Sequence, residues 1–220
     1  MAYRVIRSGQ PEEELRGRVL ALAEAAESRG EPFLLGLSGG STPAELYRSL
    51  AEPLSQLTRV YLIQVDERLV PADHPDSNWQ MISSVLSGPA GLPDERLLRV
   101  YPGESGAEYA RRVRLLLEET GRQGLDLALL GMGGDGHTAS VFTVEEVARH
   151  SEAAYRTSSP RHRHDRITLS LSLLSRSSLL CLLVKGEGKR EALERLLEED
   201  LRIPAAYLPP EKTEIYTNLF

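Results

Sequence analysis

Cysteine is almost absent from this 220-residue sequence: Cys181 is the only one. A lone thiol excludes an internal disulfide framework and leaves no Cys/His spacing of the zinc type. Cys181 sits within Leu179-Leu180-Cys181-Leu182-Leu183-Val184, where a free cysteine acts as a small buried hydrophobe. Long apolar runs are missing too. None approaches the ~18 residues that suggest a membrane span, and Met1 to Arg7 has no apolar core of the secretory-leader kind. The expectation is a cytoplasmic protein without a membrane partner. Net positive charge is also lacking, since the formal value is −6. That argues against a nucleic-acid partner, which needs a basic face for phosphates. There is no internal repeat, low-complexity linker or long charge run.

What is present is ordinary for a soluble globular protein, with 41% hydrophobic and 26% charged residues. The length supports a substantial core, and residues 1–220 are read as one domain. Leu15, Val19, Leu22 and Ala26 recur at helical spacing, predicting a helix over Glu12–Ser28 that Gly30 ends. Further helices are predicted from Pro43 to Leu50, from Ser77 or Asn78 to Leu86, over Ala107–Glu119 and over Glu187–Glu199. Strands are predicted at Val5-Ile6, Phe33–Leu37, Val60–Val65, Leu97–Val100, Leu125–Leu130, Leu179–Val184 and Glu214–Thr217. Arg166 to Ser172 alternates polar and apolar residues, as a half-buried strand does. No strand is read between Val147 and Tyr155. Strands alternating with helices indicate an α/β fold: an open, mostly parallel, Rossmann-like sheet with helices on both faces.

Four of these strands run into polar or glycine-rich segments. They are Ser38-Gly39-Gly40-Ser41-Thr42, Asp66-Glu67-Arg68, Gly131-Met132-Gly133-Gly134-Asp135-Gly136-His137, and Lys185-Gly186-Glu187-Gly188-Lys189. In a parallel sheet all four lie at the carboxyl edge, where open α/β sheets bind ligands.

Ser38 to Thr42 suits an anion, because backbone N–H groups, two hydroxyls and a helix start converge there. It also fits a tight β–α turn capped by Thr42. Gly36-Leu37-Ser38-Gly39-Gly40 matches the G-x-S-x-G elbow of serine hydrolases, although three residues intervene before Pro43. Gly131, Gly133 and Gly136 match the dinucleotide fingerprint, but the second strand with its acid is missing. That fingerprint leaves Asp135 and His137 unexplained, whereas proton-transfer chemistry uses both residue types. Arg68 offers a planar fork to a phosphate or carboxylate. Asp66 is placed for a sugar hydroxyl or a charged loop, while Glu67 reads as a surface ion pair.

Arg161-His162-Arg163-His164-Asp165-Arg166 holds three arginines beside its two histidines. It reads as a solvated or substrate-covering loop rather than a metal site. His74 and His150 have no evident partner. Lys185 and Lys189 flank two glycines at a strand–helix junction, and either would add positive charge to an anion site.

Taken together, Ser38 to Pro43, Asp66-Glu67-Arg68, Asp76-Ser77-Asn78, Gly131 to Ser140, Arg166-Ile167-Thr168-Leu169 and Gly186-Glu187-Gly188-Lys189 resemble the 6-phosphogluconolactonase family. The glucosamine-6-phosphate deaminase/isomerase relatives share the fold, but Ser-Gly-Gly and Asp-Glu-Arg favour the lactonase. Three stretches depart from the family pattern: Thr143-Val144, Arg161 to Asp165, and the tail from Ile215 to Phe220.

The resemblance implies hydrolysis of 6-phospho-D-glucono-1,5-lactone with His137 as the base and Asp135 or Asp66 supporting it. Backbone N–H groups of the glycine loops would hold the oxyanion. Arg68 and Lys189 would hold the phosphate, completed by Ser38, Gly39, Gly40, Ser41, Thr42 and Arg166, with Asn78 and Gly134 as further substrate contacts. It implies no metal and no cofactor, and the chain is expected to be a monomer or weak homo-oligomer. A deaminase/isomerase, or an esterase using Ser38, is the alternative.

Overall fold

The computed structural model describes residues 2–149 and 152–220. In chain order the elements are β1 (Arg4–Arg7), α1 (Pro11–Ser28), β2 (Phe33–Leu37), α2 (Ala44–Ser55), β3 (Val60–Gln64), β4 (Asp66–Arg68), α3 (Asn78–Ile82), β5 (Leu97–Leu98), α4 (Gly106–Glu119), β6 (Leu127–Leu130), α5 (Val144–Arg149), β7 (Ala154–Thr157), β8 (Arg166–Leu169), α6 (Leu171–Leu174), β9 (Leu179–Val184), α7 (Arg190–Leu197) and β10 (Thr213–Thr217). Seven strands form one sheet in the order β1-β10-β9-β6-β2-β3-β5. Every pairing in it is parallel.

Side chains of a strand alternate between its two faces, and the core divides accordingly. Leu34, Ala128, Leu130, Leu180 and Leu182 join one cluster with Tyr109 and Val113 of α4 and Leu193 of α7. Leu35, Leu127, Leu129, Cys181 and Leu183 join the other, with Leu15 and Val19 of α1 and Leu46 and Leu50 of α2. Both faces of the sheet are therefore covered, as its continuous apolar strands require.

Several local expectations change. Asp66-Glu67-Arg68 is not a loop but β4, part of a second, antiparallel sheet β4-β8-β7. A three-residue polar strand has no hydrophobic period by which to be recognised. Strand β8 is wholly buried rather than half-buried, because Ile167 and Leu169 enter the core while Arg166 and Thr168 are enclosed on the opposite face. It ends before Ser172: Ser170 accepts from the N–H of Leu173 and caps α6. The stretch read as strandless ends in β7. The expected strand at Leu97–Val100 shortens to β5.

Helix α2 continues beyond Leu50 and through Pro53. Proline cannot donate to the carbonyl four residues earlier. That carbonyl, on Ser49, accepts from Arg16 Nε at 3.2 Å instead. His150 lies outside the described residues.

Candidate active site

Strands β9, β6, β2 and β3 are adjacent and parallel, so their C-terminal segments meet at one edge. They enclose a cavity of about 250 Å³ lined by Ser38, Gly39, Gly40, Ser41, Thr42, Asp66, Arg68, Asn78, Gly131, Gly133, His137, Arg166, Lys185 and Lys189, among others. Most of the residues singled out in the sequence converge here. Gly134 does not: it is exposed, and a Cβ there would lie 2.9 Å from the Gly188 carbonyl oxygen. Asp135 stands behind His137, outside the lining.

The Asp135–His137 pair is the shortest link in the glycine loop. His137 Nδ1 lies 2.6 Å from Asp135 Oδ1; a carboxylate there can only accept, so Nδ1–H donates, and in the neutral ring Nε2 carries the lone pair. Burial alone would push the Asp135 carboxyl up. The hydrogen bond and charge of His137 outweigh this and hold it below its ordinary value. The loop is shaped for the pair, since a Cβ on Gly133 would lie 2.1 Å from His137 Nδ1. Gly133 N–H donates to the His137 carbonyl and Gly136 N–H to the Gly133 carbonyl, so these two donors, expected for an oxyanion, are spent within the loop.

Asp66 serves different partners. Its Oδ2 accepts from Ser140 Oγ at 2.6 Å and from Asn78 Nδ2 at 3.3 Å, and lies 3.7 Å from Arg166. Between Asp66 and Asp135, then, it is Asp135 that bonds His137. Ser140 belongs to this group and was not singled out as a site residue. The motif Gly131 to Ser140 contains it, but a serine in a polar loop carries no signal of its own. It follows Ala139, whose φ of 51° places a non-glycine residue in the left-handed region at the cavity wall.

The antiparallel ladder sets Asp66 opposite Thr168 and Arg68 opposite Arg166. Arg68 donates to the Asp76 carbonyl at 2.7 Å. Burial pulls the Arg166 guanidinium below its ordinary value, against the pull of Asp66. Of the two lysines, Lys185 is paired with Glu12, while the Lys189 ammonium has no polar partner among the described residues. No acceptor takes the N–H groups of Gly39, Gly40, Ser41 or Thr42 among the described residues. Ser38 Oγ, Arg68 Nε and Asn78 Oδ1 are buried without a hydrogen-bond partner. Ser38 Oγ thus lacks the imidazole that an esterase nucleophile needs.

Glu67 overturns its reading as a surface ion pair. It is 5% exposed and accepts from Gln64 Nε2, Ser77 Oγ and the N–H groups of Arg68, Asn78 and Trp79 at 2.7–3.1 Å. It thereby ties the Ser77 to Trp79 segment to β4.

The Arg161 to Asp165 stretch reaches the site through His162. The His162 ring stacks on Phe142, with centroids 4.5 Å apart, and meets His137 edge-on at 5.0 Å. His164 Nε2 lies 2.8 Å from Asp76 Oδ2. His74 also has a partner after all: its Nδ1 accepts from the Asp76 N–H.

Among the described residues no helix is long and apolar enough to cross a membrane. The model of the family described as glucosamine-6-phosphate isomerases/6-phosphogluconolactonase matches residues 9–217. A Rattus norvegicus 6-phosphogluconolactonase is 34% identical over 201 residues, covering 86% of this chain and 78% of the relative. A Homo sapiens 6-phosphogluconolactonase is 34% identical over 192 residues, covering 81% and 74%. The crystal structure of 6-phosphogluconolactonase from Thermotoga maritima superposes with a TM-score of 0.84 at 25% identity, covering 98% of both chains. The chain belongs to the glucosamine-6-phosphate isomerase/6-phosphogluconolactonase family.

Proposed function

We propose that this chain hydrolyses 6-phospho-D-glucono-1,5-lactone to 6-phospho-D-gluconate, a step of the oxidative pentose phosphate pathway. One observation carries the reading. A ring nitrogen free to accept a proton, on His137, shares a single small cavity with an anion cradle built from Arg68, Arg166, Lys189 and the Ser38–Thr42 turn. The relatives named as 6-phosphogluconolactonases support it.

In this reading the phosphate is held by Arg68, Lys189 and the open donors of Ser41 and Thr42. Water attacks C1 of the lactone and His137 Nε2 takes its proton. Asp135 steadies the imidazolium that forms. Negative charge on the carbonyl oxygen develops beside Arg166 and the open N–H groups of Gly39 and Gly40, an arrangement that stabilises such charge effectively. Asp66 holds Arg166 in place. The proton on His137 then passes to the ring oxygen as the C1–O bond breaks. A strained ester and a placed base suffice, so the scheme uses no metal or cofactor.

The chain is proposed to act as one domain, as a monomer or weak homo-oligomer in the cytoplasm. The test is turnover of the phosphorylated lactone without added metal, corrected for spontaneous hydrolysis. Hydrolysis well above that background is expected. Release of ammonia or ketose from glucosamine 6-phosphate, with no lactone turnover, would replace this reading by the deaminase/isomerase one.

A further inference from the structure

We propose that Asp135, His137 and His162 form a binding site for a divalent transition-metal ion of the Zn²⁺ type, and that its occupancy blocks the base. The second half rests on the lactonase reading; the first does not.

One donor atom from each of the three residues lies within 4.8 Å of the other two. His162 Nε2 is buried, has no hydrogen-bond partner, and stands 3.9 Å from Asp135 Oδ2. On the other oxygen of the same carboxylate, His137 Nδ1 is at 2.6 Å. With metal–ligand bonds of ~2.0–2.1 Å, two ligands on a tetrahedral zinc lie about 3.3 Å apart. The three donor atoms already lie within 4.8 Å of one another, so modest side-chain shifts bring them to that spacing. The ring centroids, 5.0 Å apart at 75°, are spaced as two imidazoles on one ion would be. Two imidazoles and a carboxylate suit Zn²⁺ and leave a fourth position open. On binding, the Nδ1 proton of His137 is exchanged for one on Nε2, so the ring stays neutral and Nε2 no longer offers a lone pair to water. Arg166, over the outer ring of the Phe142–His162 stack, opposes the ion but is spread over a planar cation. The sequence hides the set because residue 162 comes from a separate loop.

A look-alike provides the control. Asp76, His74 and His164 are also clustered, but His74 Nδ1 already accepts the Asp76 N–H, and the rings are 5.7 Å apart.

The experiment is calorimetric titration of the metal-free chain with Zn²⁺ at neutral pH, with Co²⁺ absorption as a second reading. One ion per chain is expected. His162→Gln and His137→Ala should each weaken binding at least tenfold, while His164→Gln leaves it unchanged. Binding that survives His162→Gln, or that is lost in His164→Gln, overturns the proposal, as does the absence of stoichiometric binding. Lactone turnover is then read with and without Zn²⁺. Inhibition relieved by a chelator is expected. A chain with no lactonase activity would leave the titration valid, and a chain that fails to bind zinc would leave the lactonase reading standing.

Discussion

Arg68 and Arg166 are register partners across the β4–β8 ladder, and both side chains line the cavity. Like charges directly opposite each other are destabilising by roughly 0.2–1 kcal/mol. A phosphate bound by Arg68 offsets that repulsion through a charge-assisted contact worth about 1.5–3 kcal/mol. Arg68→Ala is therefore expected to raise KM for the phosphorylated lactone about tenfold or more, and to erase its preference over unphosphorylated gluconolactone. Inorganic phosphate should raise the Tm of the wild type and do so less in the variant. An unchanged preference would remove Arg68 from the phosphate site.

His137 and Asp135 separate by the kind of loss each causes. His137→Ala removes the base, and general-base help is worth about 10²–10⁴-fold, so kcat should fall by that order with KM little changed. Asp135→Asn keeps the shape but loses the charge that fixes the tautomer, and should lower kcat by part of that amount. Steady-state kinetics on both variants check this; wild-type kcat in His137→Ala would assign the base elsewhere.

Glu67 carries more structure than its place in a polar triplet suggests. Its carboxylate satisfies three backbone N–H groups and two side chains. Glu67→Ala strands these buried donors, and each unsatisfied group costs about 1–3 kcal/mol. A loss of more than about 3 kcal/mol in urea unfolding is expected, with a milder loss for Glu67→Gln.

Glu67 also shows where the sequence stops being informative. The parallel sheet was legible because Phe33–Leu37 and Leu179–Val184 are short apolar runs whose burial dictates strands on any reading. The converging loops followed from strand direction alone. Strand β4 was not legible, because its partners Arg166 to Thr168 lie about a hundred residues away and its own residues are all charged. Nothing in Asp-Glu-Arg says which carboxylate faces the cavity and which is sealed behind it. The Asp135–His137 contact was open for the same reason, since a two-residue spacing in a glycine loop does not set side-chain direction.

The pH dependence of stability has a definite sign. Burial pulls His162 below its ordinary value. The charges of His137, Arg166 and Arg68 add to this, against Asp135. The unfolded chain then binds protons at His162 that the folded chain refuses, so its contribution is full above the unfolded value of ~6.5. That contribution falls as pH drops through the window below it, down to the folded pKa. In chelated buffer, the Tm of wild type should fall between pH 7 and 5 more steeply than that of His162→Gln. Equal slopes would show that His162 titrates as it does in the unfolded chain.

The four glycines of the Gly131 to Gly136 segment look alike in the sequence but differ in what they allow. A Cβ on Gly131 meets nothing within 4 Å. On Gly133 it would stand 2.1 Å from His137 Nδ1 and 2.4 Å from Asp135 Oδ1, inside the pair itself. Gly133→Ala must break that contact or move the ring, and catalytic geometry tolerates little displacement. The expected result is a fall in kcat of about a hundredfold, with the fold intact by circular dichroism. Gly131→Ala should stay within a few-fold of wild type. If the two variants behaved alike, the loop's role would be to bend the chain rather than to make room for the pair.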